Sequence, residues 1–74
     1  MDVEIFYCPT CSGYYKRAAG LAAELSELPG VSATATPGAR SQFDVVVDDA
    51  VVFSKQIKGR FPEEGEIMRL LPRA

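Results

Sequence analysis

Seventy-four residues make one small domain, taken as residues 1–74, with room for a single core and none for a second. Hydrophobic content of 47% beside 24% charged residues is that of a globular chain, and a net charge of −2 gives no electrostatic ground for binding nucleic acid. The chain has no histidine, which removes Cys–His nucleophilic catalysis and every His-containing metal site.

In chain order, Val3 to Tyr7 reads as a short strand. Val3, Ile5 and Tyr7 fall on one side and Glu4 and Phe6 on the other. Apolar residues on both sides suggest an interior strand. Pro9 then interrupts the run and restrains Cys8 to an extended backbone. From Thr10 or Ser12 to Leu28 the period becomes helical. Tyr14, Ala18, Leu21, Leu25 and Leu28 form one apolar stripe, with Lys16, Arg17, Glu24 and Glu27 off it. Thr10 or Ser12 is the expected N-cap, and Pro29-Gly30 the stop.

Val31 to Thr36 alternates again and reads as a second strand, followed by a loop from Pro37 to Ser41. Phe43 to Val47 and Val51 to Ser54 are β-branched runs separated by Asp48-Asp49-Ala50, an antiparallel hairpin. A tight type I′ turn is not expected there, because Asn-Gly and Asp-Gly are missing and Ala50 disfavours positive φ. Lys55 to Arg60 reads as a basic loop, a candidate for meeting an acidic partner or the carboxylates of glutathione, although loops are often charged simply because they are wet. Pro62 is expected to open a last short helix, with Glu63 and Glu64 in its first turn and Ile67, Leu70 and Leu71 on its buried face. Gly65 weakens that helix.

The order β-α-β-β-β-α predicts an α/β chain with a minimal thioredoxin-like fold. Its four-stranded mixed sheet would run second, first, third, fourth strand, the first two parallel through a right-handed crossover. The central first strand would then carry Cys8 to the edge of the sheet.

The chemistry rests on Cys8-Pro9-Thr10-Cys11 at a strand-to-helix turn. A disulfide exchanger needs one thiol ionised near neutral pH and a second close enough to resolve a mixed disulfide. A helix N-terminus or nearby cations, here Lys16 and Arg17, lower a thiol pKa from about 8.5. Against this stands the plain alternative of two small buried apolar residues. Zinc would require four ligands, and one chain offers two thiolates, so a dimer or added carboxylates would be needed. Pro9, Thr10 and Tyr14 are candidates for substrate binding beside the cysteines, and Tyr7 flanks them. The simpler role for Tyr14 is first rung of the helix stripe. Tyr15 lies off that stripe, and Phe43 reads as core.

Tyr7-Cys8-Pro9-Thr10-Cys11 with Tyr14 and Arg17-Ala18, Thr36-Pro37-Gly38, Phe43-Asp44-Val45 and Gly59-Arg60-Phe61-Pro62 together resemble the Rdx family, the selenoprotein W, T and H relatives, in a bacterial cysteine-containing form. The resemblance covers nearly the whole chain. It implies a thioredoxin-like fold and a thiol or selenol redox role, often antioxidant and linked to glutathione. In the selenoprotein members selenocysteine takes the second motif position, here Cys11, whereas thioredoxin logic makes the first, Cys8, the attacker; the order is left open. Larger thioredoxin relatives carry a cis-proline before the third strand. Ser41-Gln42 fills that place here, which puts ordinary thioredoxin or glutaredoxin activity in doubt.

The expectation is a small redox protein in which Cys8 and Cys11 cycle between dithiol and disulfide. It would use no cofactor beyond glutathione as a candidate reductant, and would act on protein or glutathione disulfides. Neither nucleic acid nor membrane is an expected partner, and the chain is expected to be a monomer or weak dimer. The acidic Met1-Asp2-Val3-Glu4 does not read as a signal peptide, so a cytoplasmic location is expected. The rival is a non-catalytic binding module whose Cys-x-x-Cys docks a partner or, as a dimer, holds zinc.

Overall fold

Four short runs of alternating residues build the sheet around which the chain is arranged. A computed structural model describes residues 1–71; residues 72–74 of the expected domain lie outside the described residues. The strands are β1 (Asp2–Tyr7), β2 (Ser32–Pro37), β3 (Phe43–Val47) and β4 (Ala50–Ser54), in the spatial order β2-β1-β3-β4. β1 pairs parallel with β2 and antiparallel with β3, and β3 pairs antiparallel with β4. This is the thioredoxin-like sheet expected from the sequence. Helix α1 (Tyr14–Ser26) makes the crossover, and α2 (Lys55–Lys58) and α3 (Glu66–Leu70) follow β4. No helix of the described residues is long and apolar enough to cross a membrane.

Side chains two apart on a strand share a face, so Val3, Ile5 and Tyr7 of β1 and Phe43, Val45 and Val47 of β3 are buried together. Ala18, Ala22 and Leu25 of α1, Phe53 of β4 and Ile67 of α3 complete the core. Each large apolar side chain fully removed from water contributes roughly 1.5–3 kcal/mol. β1 is interior as expected, but only one of its faces is packed. Asp2 and Glu4 on the other face are exposed and Phe6 is half-buried. Thr36 donates to the Glu4 carboxylate across that open face (3.0 Å).

Several boundaries differ from expectation. α1 begins at Tyr14, and its N-cap is Gly13 at φ 81° with no side-chain capping bond, so neither Thr10 nor Ser12 is the cap. The residues from Cys8 to Ser12 are spent on a turn, and a glycine in the left-handed region is what redirects the chain into the helix. α1 ends at Ser26 instead of Leu28, and Ala22 joins Ala18 and Leu25 as its buried residues while Leu21 is half-buried. The last residue of the helix ties down the next strand: Ala33 N–H donates to Ser26 Oγ (3.2 Å), and that hydroxyl donates to Ala33 C=O (3.3 Å).

The hairpin does close with a tight turn. Val47 pairs with Ala50, leaving Asp48 and Asp49 as a two-residue loop with φ of 46° and 71°, the sign pattern of a type I′ turn. Aspartate enters the left-handed region more easily than most residues because its short polar side chain bonds locally. A contact distant in sequence adds to this: Asp48 Oδ1 accepts the Asp2 N–H (2.9 Å). Ala50 starts the strand and never needs positive φ.

The expected basic loop is a helical turn over Lys55–Lys58, ended by Gly59 at φ 75°. The last helix does not start at Pro62. It begins at Glu66 behind Gly65 at φ 76°, because Glu66 closes the preceding loop on itself. Its carboxylate accepts the Glu63 N–H (2.9 Å) and both arms of the Arg60 guanidinium (2.7 and 2.9 Å), and Glu66 N–H donates to Glu63 C=O (3.0 Å). The Arg60 hydrogen bonds, then the Glu63 N–H, hold the Glu66 pKa down at about 2. Ile67 is buried and Leu71 half-buried, but Leu70 is 42% exposed and not part of the buried face.

Candidate functional site

β1 ends at Tyr7, and the next residue is held in place from two directions. Cys8 N–H donates to Gln42 C=O (2.9 Å), and Gly38 N–H donates to Tyr7 C=O (2.8 Å), so the loops after β2 and before β3 clasp the end of the central strand. Cys8 and Cys11 are joined in a disulfide with their Cα atoms 5.4 Å apart, ordinary spacing for such a bond. The two are unequal. Cys8 is fully buried at 0% exposure, whereas Cys11 is partly open to solvent.

Of the intervening residues, Pro9 and Thr10 are both exposed, yet the Thr10 hydroxyl is turned inward to 3.5 Å from Cys8 Sγ. Tyr14 N–H donates to Cys11 C=O (3.3 Å), so the first residue of α1 closes the cysteine turn. The Tyr14 ring is half-buried in an aromatic triad, with Phe61 at 4.9 Å and Phe43 at 6.4 Å, and those two are 5.2 Å apart. Tyr7 is buried and meets exposed Tyr15 at 5.6 Å.

The cations expected near the sulfurs are stacked on an aromatic ring or exposed. Arg17 lies over the Phe61 ring at 4.2 Å, and Lys16 is exposed. Lys55 reaches 5.6 Å from both the Tyr14 and Phe61 rings. Arg60 is paired with Glu66 while its side chain stays 45% exposed. Among the described residues no group of three or more Cys, Asp or Glu is placed to hold a metal ion.

Sequence reasoning placed Ser41-Gln42 opposite the motif but missed what Gln42 does. Besides taking the Cys8 N–H on its carbonyl, it accepts the Ala39 N–H on Oε1 (2.7 Å) and donates from Nε2 to Asp44 (2.8 Å). Its own N–H goes to Ala39 C=O (3.1 Å). Gln42 thus ties the loop to the cysteine turn through its carbonyl and to β3 through its side chain. The polar side chain directly before the β-branched run that opens at Phe43 was the available signal, but it did not show these contacts.

The model of the Rdx family matches residues 2–73. A solved structure, that of a selenoprotein W-related protein from Vibrio cholerae, is similar to this chain with a TM-score of 0.79 and 26% identity, covering 93% of this chain and 89% of that one. No curated protein matches the chain.

Proposed function

The chain belongs to the Rdx family, and from that premise and the geometry of the cysteine turn we propose that it is a small thiol–disulfide redox protein. The observation that carries the reading is the unequal pair of sulfurs in one disulfide: Cys8 buried at the end of the central strand, Cys11 partly open at the start of the turn into α1.

In the reduced protein the Cys11 thiolate attacks a target disulfide R–S–S–R′. A bond forms between Cys11 Sγ and the sulfur of R, the target bond breaks, and R′–S⁻ leaves. The Cys8 thiolate then attacks Cys11 Sγ, the Cys8–Cys11 bond forms, and R–S⁻ leaves. Two electrons pass from the dithiol to the target, and the two protons given up by the cysteines end on the two released thiols. The order places the accessible sulfur first and the buried one second, the reverse of thioredoxin order. Pro9 and the Thr10 backbone, exposed beside Cys11, form the surface a target meets first. Tyr14, half-buried behind them, fixes the start of the helix.

The targets are protein or glutathione disulfides, and a low-molecular-weight thiol such as glutathione restores the dithiol. No bound cofactor takes part. A cytoplasmic, antioxidant setting suits a pair that must be reduced to act.

Trapping tests both the chemistry and its order. With a chromogenic aryl disulfide, Cys8→Ser is expected to release one aryl thiol and retain the other on Cys11 as a stable mixed disulfide. Cys11→Ser is expected to react at least tenfold more slowly. Sustained reductase turnover by the double Cys→Ser variant would end the redox reading, and faster reaction at Cys8 would reverse the order.

A further inference from the structure

Opening the disulfide at Cys11 leaves the bond's electron pair on Cys8, the sulfur that is fully buried. Burial disfavours a thiolate, so something must offset it if this step is to run at neutral pH. Two of the nearest backbone donors are engaged elsewhere. The Cys8 N–H is bonded to Gln42 C=O, and Tyr14 N–H, the first of α1, is bonded to Cys11 C=O.

The titratable and charged groups on the surrounding elements have other partners or are exposed, as Arg40 is in the loop before β3. From β1, the Tyr7 ring meets that of Tyr15 of α1 at a tilt; from α1, Arg17 lies on Phe61 and Lys16 is exposed. On β3, Asp44 accepts from Gln42, and on α2, Lys55 sits by Tyr14 and Phe61. Among the described residues, Thr10 Oγ1 at 3.5 Å is the one side-chain polar group in hydrogen-bond contact with Cys8 Sγ.

We infer that Thr10 is a positioning residue for Cys8: its hydroxyl donates a hydrogen bond to the Cys8 thiolate and so sets how readily the buried sulfur leaves and attacks. In the balanced step, R–S⁻ bonds to Cys11 Sγ, the Cys8–Cys11 bond breaks, and the negative charge moves to Cys8 with no proton transferred. The Thr10 O–H keeps its proton and donates the hydrogen bond. A neutral disulfide sulfur is a weak acceptor and a thiolate a strong one, so the bond strengthens as the charge arrives. The geometry that allows it is local. The Pro9-Thr10 turn leaves the Thr10 residue exposed while aiming its hydroxyl at the buried atom.

The use of this bond in turnover rests on the redox reading above; the bond itself does not, and the test separates them. In a Cys11→Ser background Cys8 is the sole thiol, and its thiolate is titrated by ultraviolet absorbance. Adding Thr10→Val, which replaces the hydroxyl with a methyl at nearly constant volume, is expected to lower the thiolate fraction at a fixed pH below the midpoint about tenfold to a hundredfold, and Thr10→Ser to restore it. A Val variant that titrates like the parent, or Ser and Val variants that shift alike, would overturn the inference.

If the single-cysteine background does not fold, the two-cysteine protein is equilibrated with glutathione across pH. Thr10→Val is then expected to favour the disulfide above the Cys8 midpoint and to have little effect below it. An equal shift at every pH, or none, would overturn the inference. A hydroxyl-dependent titration in a protein without reductase turnover would instead remove the redox reading and leave the hydrogen bond standing.

Discussion

Two loops in this chain enter a helix in the same way and are closed by opposite means. The turn from Cys8 to Gly13 leads into α1, and the loop from Arg60 to Gly65 leads into α3. Each ends in a left-handed glycine at the N-cap, φ 81° and 76°, and neither has a side-chain cap. The first is locked by the Cys8–Cys11 disulfide and the second by Arg60 and Glu63 converging on Glu66. Covalent closure leaves the side chains of the first loop available, so Thr10 faces a sulfur and Cys11 faces solvent. Ionic closure engages the Arg60 side chain of the second with Glu66. The first lock should respond to reductant and not to acid, the second to acid and not to reductant.

The comparison breaks most completely at the cysteines. Cys8→Ser or Cys11→Ser should abolish turnover in a steady-state reductase assay while circular dichroism keeps the native signal. Opening so short a loop costs only about 2 kcal/mol on the chain-entropy account, which denaturant midpoints of oxidised and reduced protein can check.

The second loop breaks next, through its anchor. Ile67 is 1% exposed and carries α3 onto the core, so Ile67→Ala should cost about 2–5 kcal/mol in urea unfolding. Redox chemistry at Cys8 and Cys11 should persist wherever that variant is folded.

The two glycines sharpen the likeness. A Cβ on Gly13 would meet nothing within 4 Å, so Gly13→Ala should cost only the left-handed strain, about 1–2 kcal/mol. Gly65→Ala should cost the same or slightly more, since its Cβ would come within 3.3 Å of the Arg69 guanidinium.

The smallest effect is electrostatic. Glu66 has its folded pKa depressed to about 2 from 4.5, so its contribution is present above pH 4.5 and fades as pH falls towards 2. The stability gap between the parent and Glu66→Gln should therefore narrow over that interval and shrink with salt, because the pair is surface-exposed. The disulfide's contribution should be unchanged across the same window.

What the sequence made legible follows from periodicity. Alternation in Val3–Tyr7 and Phe43–Val47 and the three–four spacing through Ala18 and Leu25 are set by burial against one core, and a local pattern records burial well. Parallel pairing of the first two strands followed from short connections and the handedness of a crossover, and the sheet order from the likeness of the element order to a minimal thioredoxin-like fold. Less legible were the features set by a single backbone angle or a contact between distant residues. Thr10 and Ser12 are good caps in isolation, but the disulfide turn and Gly13 displaced the helix start. Asp48-Asp49 lacks the glycine that signals a type I′ turn, yet its bond to Asp2, distant in sequence, supports it. Pro62 suits a first helical position, but the Arg60–Glu66 pair moved the helix beyond it. At the site, the motif and its place after β1 were readable. The unequal burial of the cysteines and the bracing by Gln42 were not, because both depend on loops brought together only by the folded sheet.

The central claim is that the first lock is a working redox bond. Equilibrium titration of Cys8 and Cys11 in glutathione buffers, read by thiol alkylation and mass, tests it directly. The account predicts a reversible intramolecular disulfide with a potential of about −180 to −270 mV. Failure to form that disulfide, or glutathionylation of one cysteine alone, would contradict it.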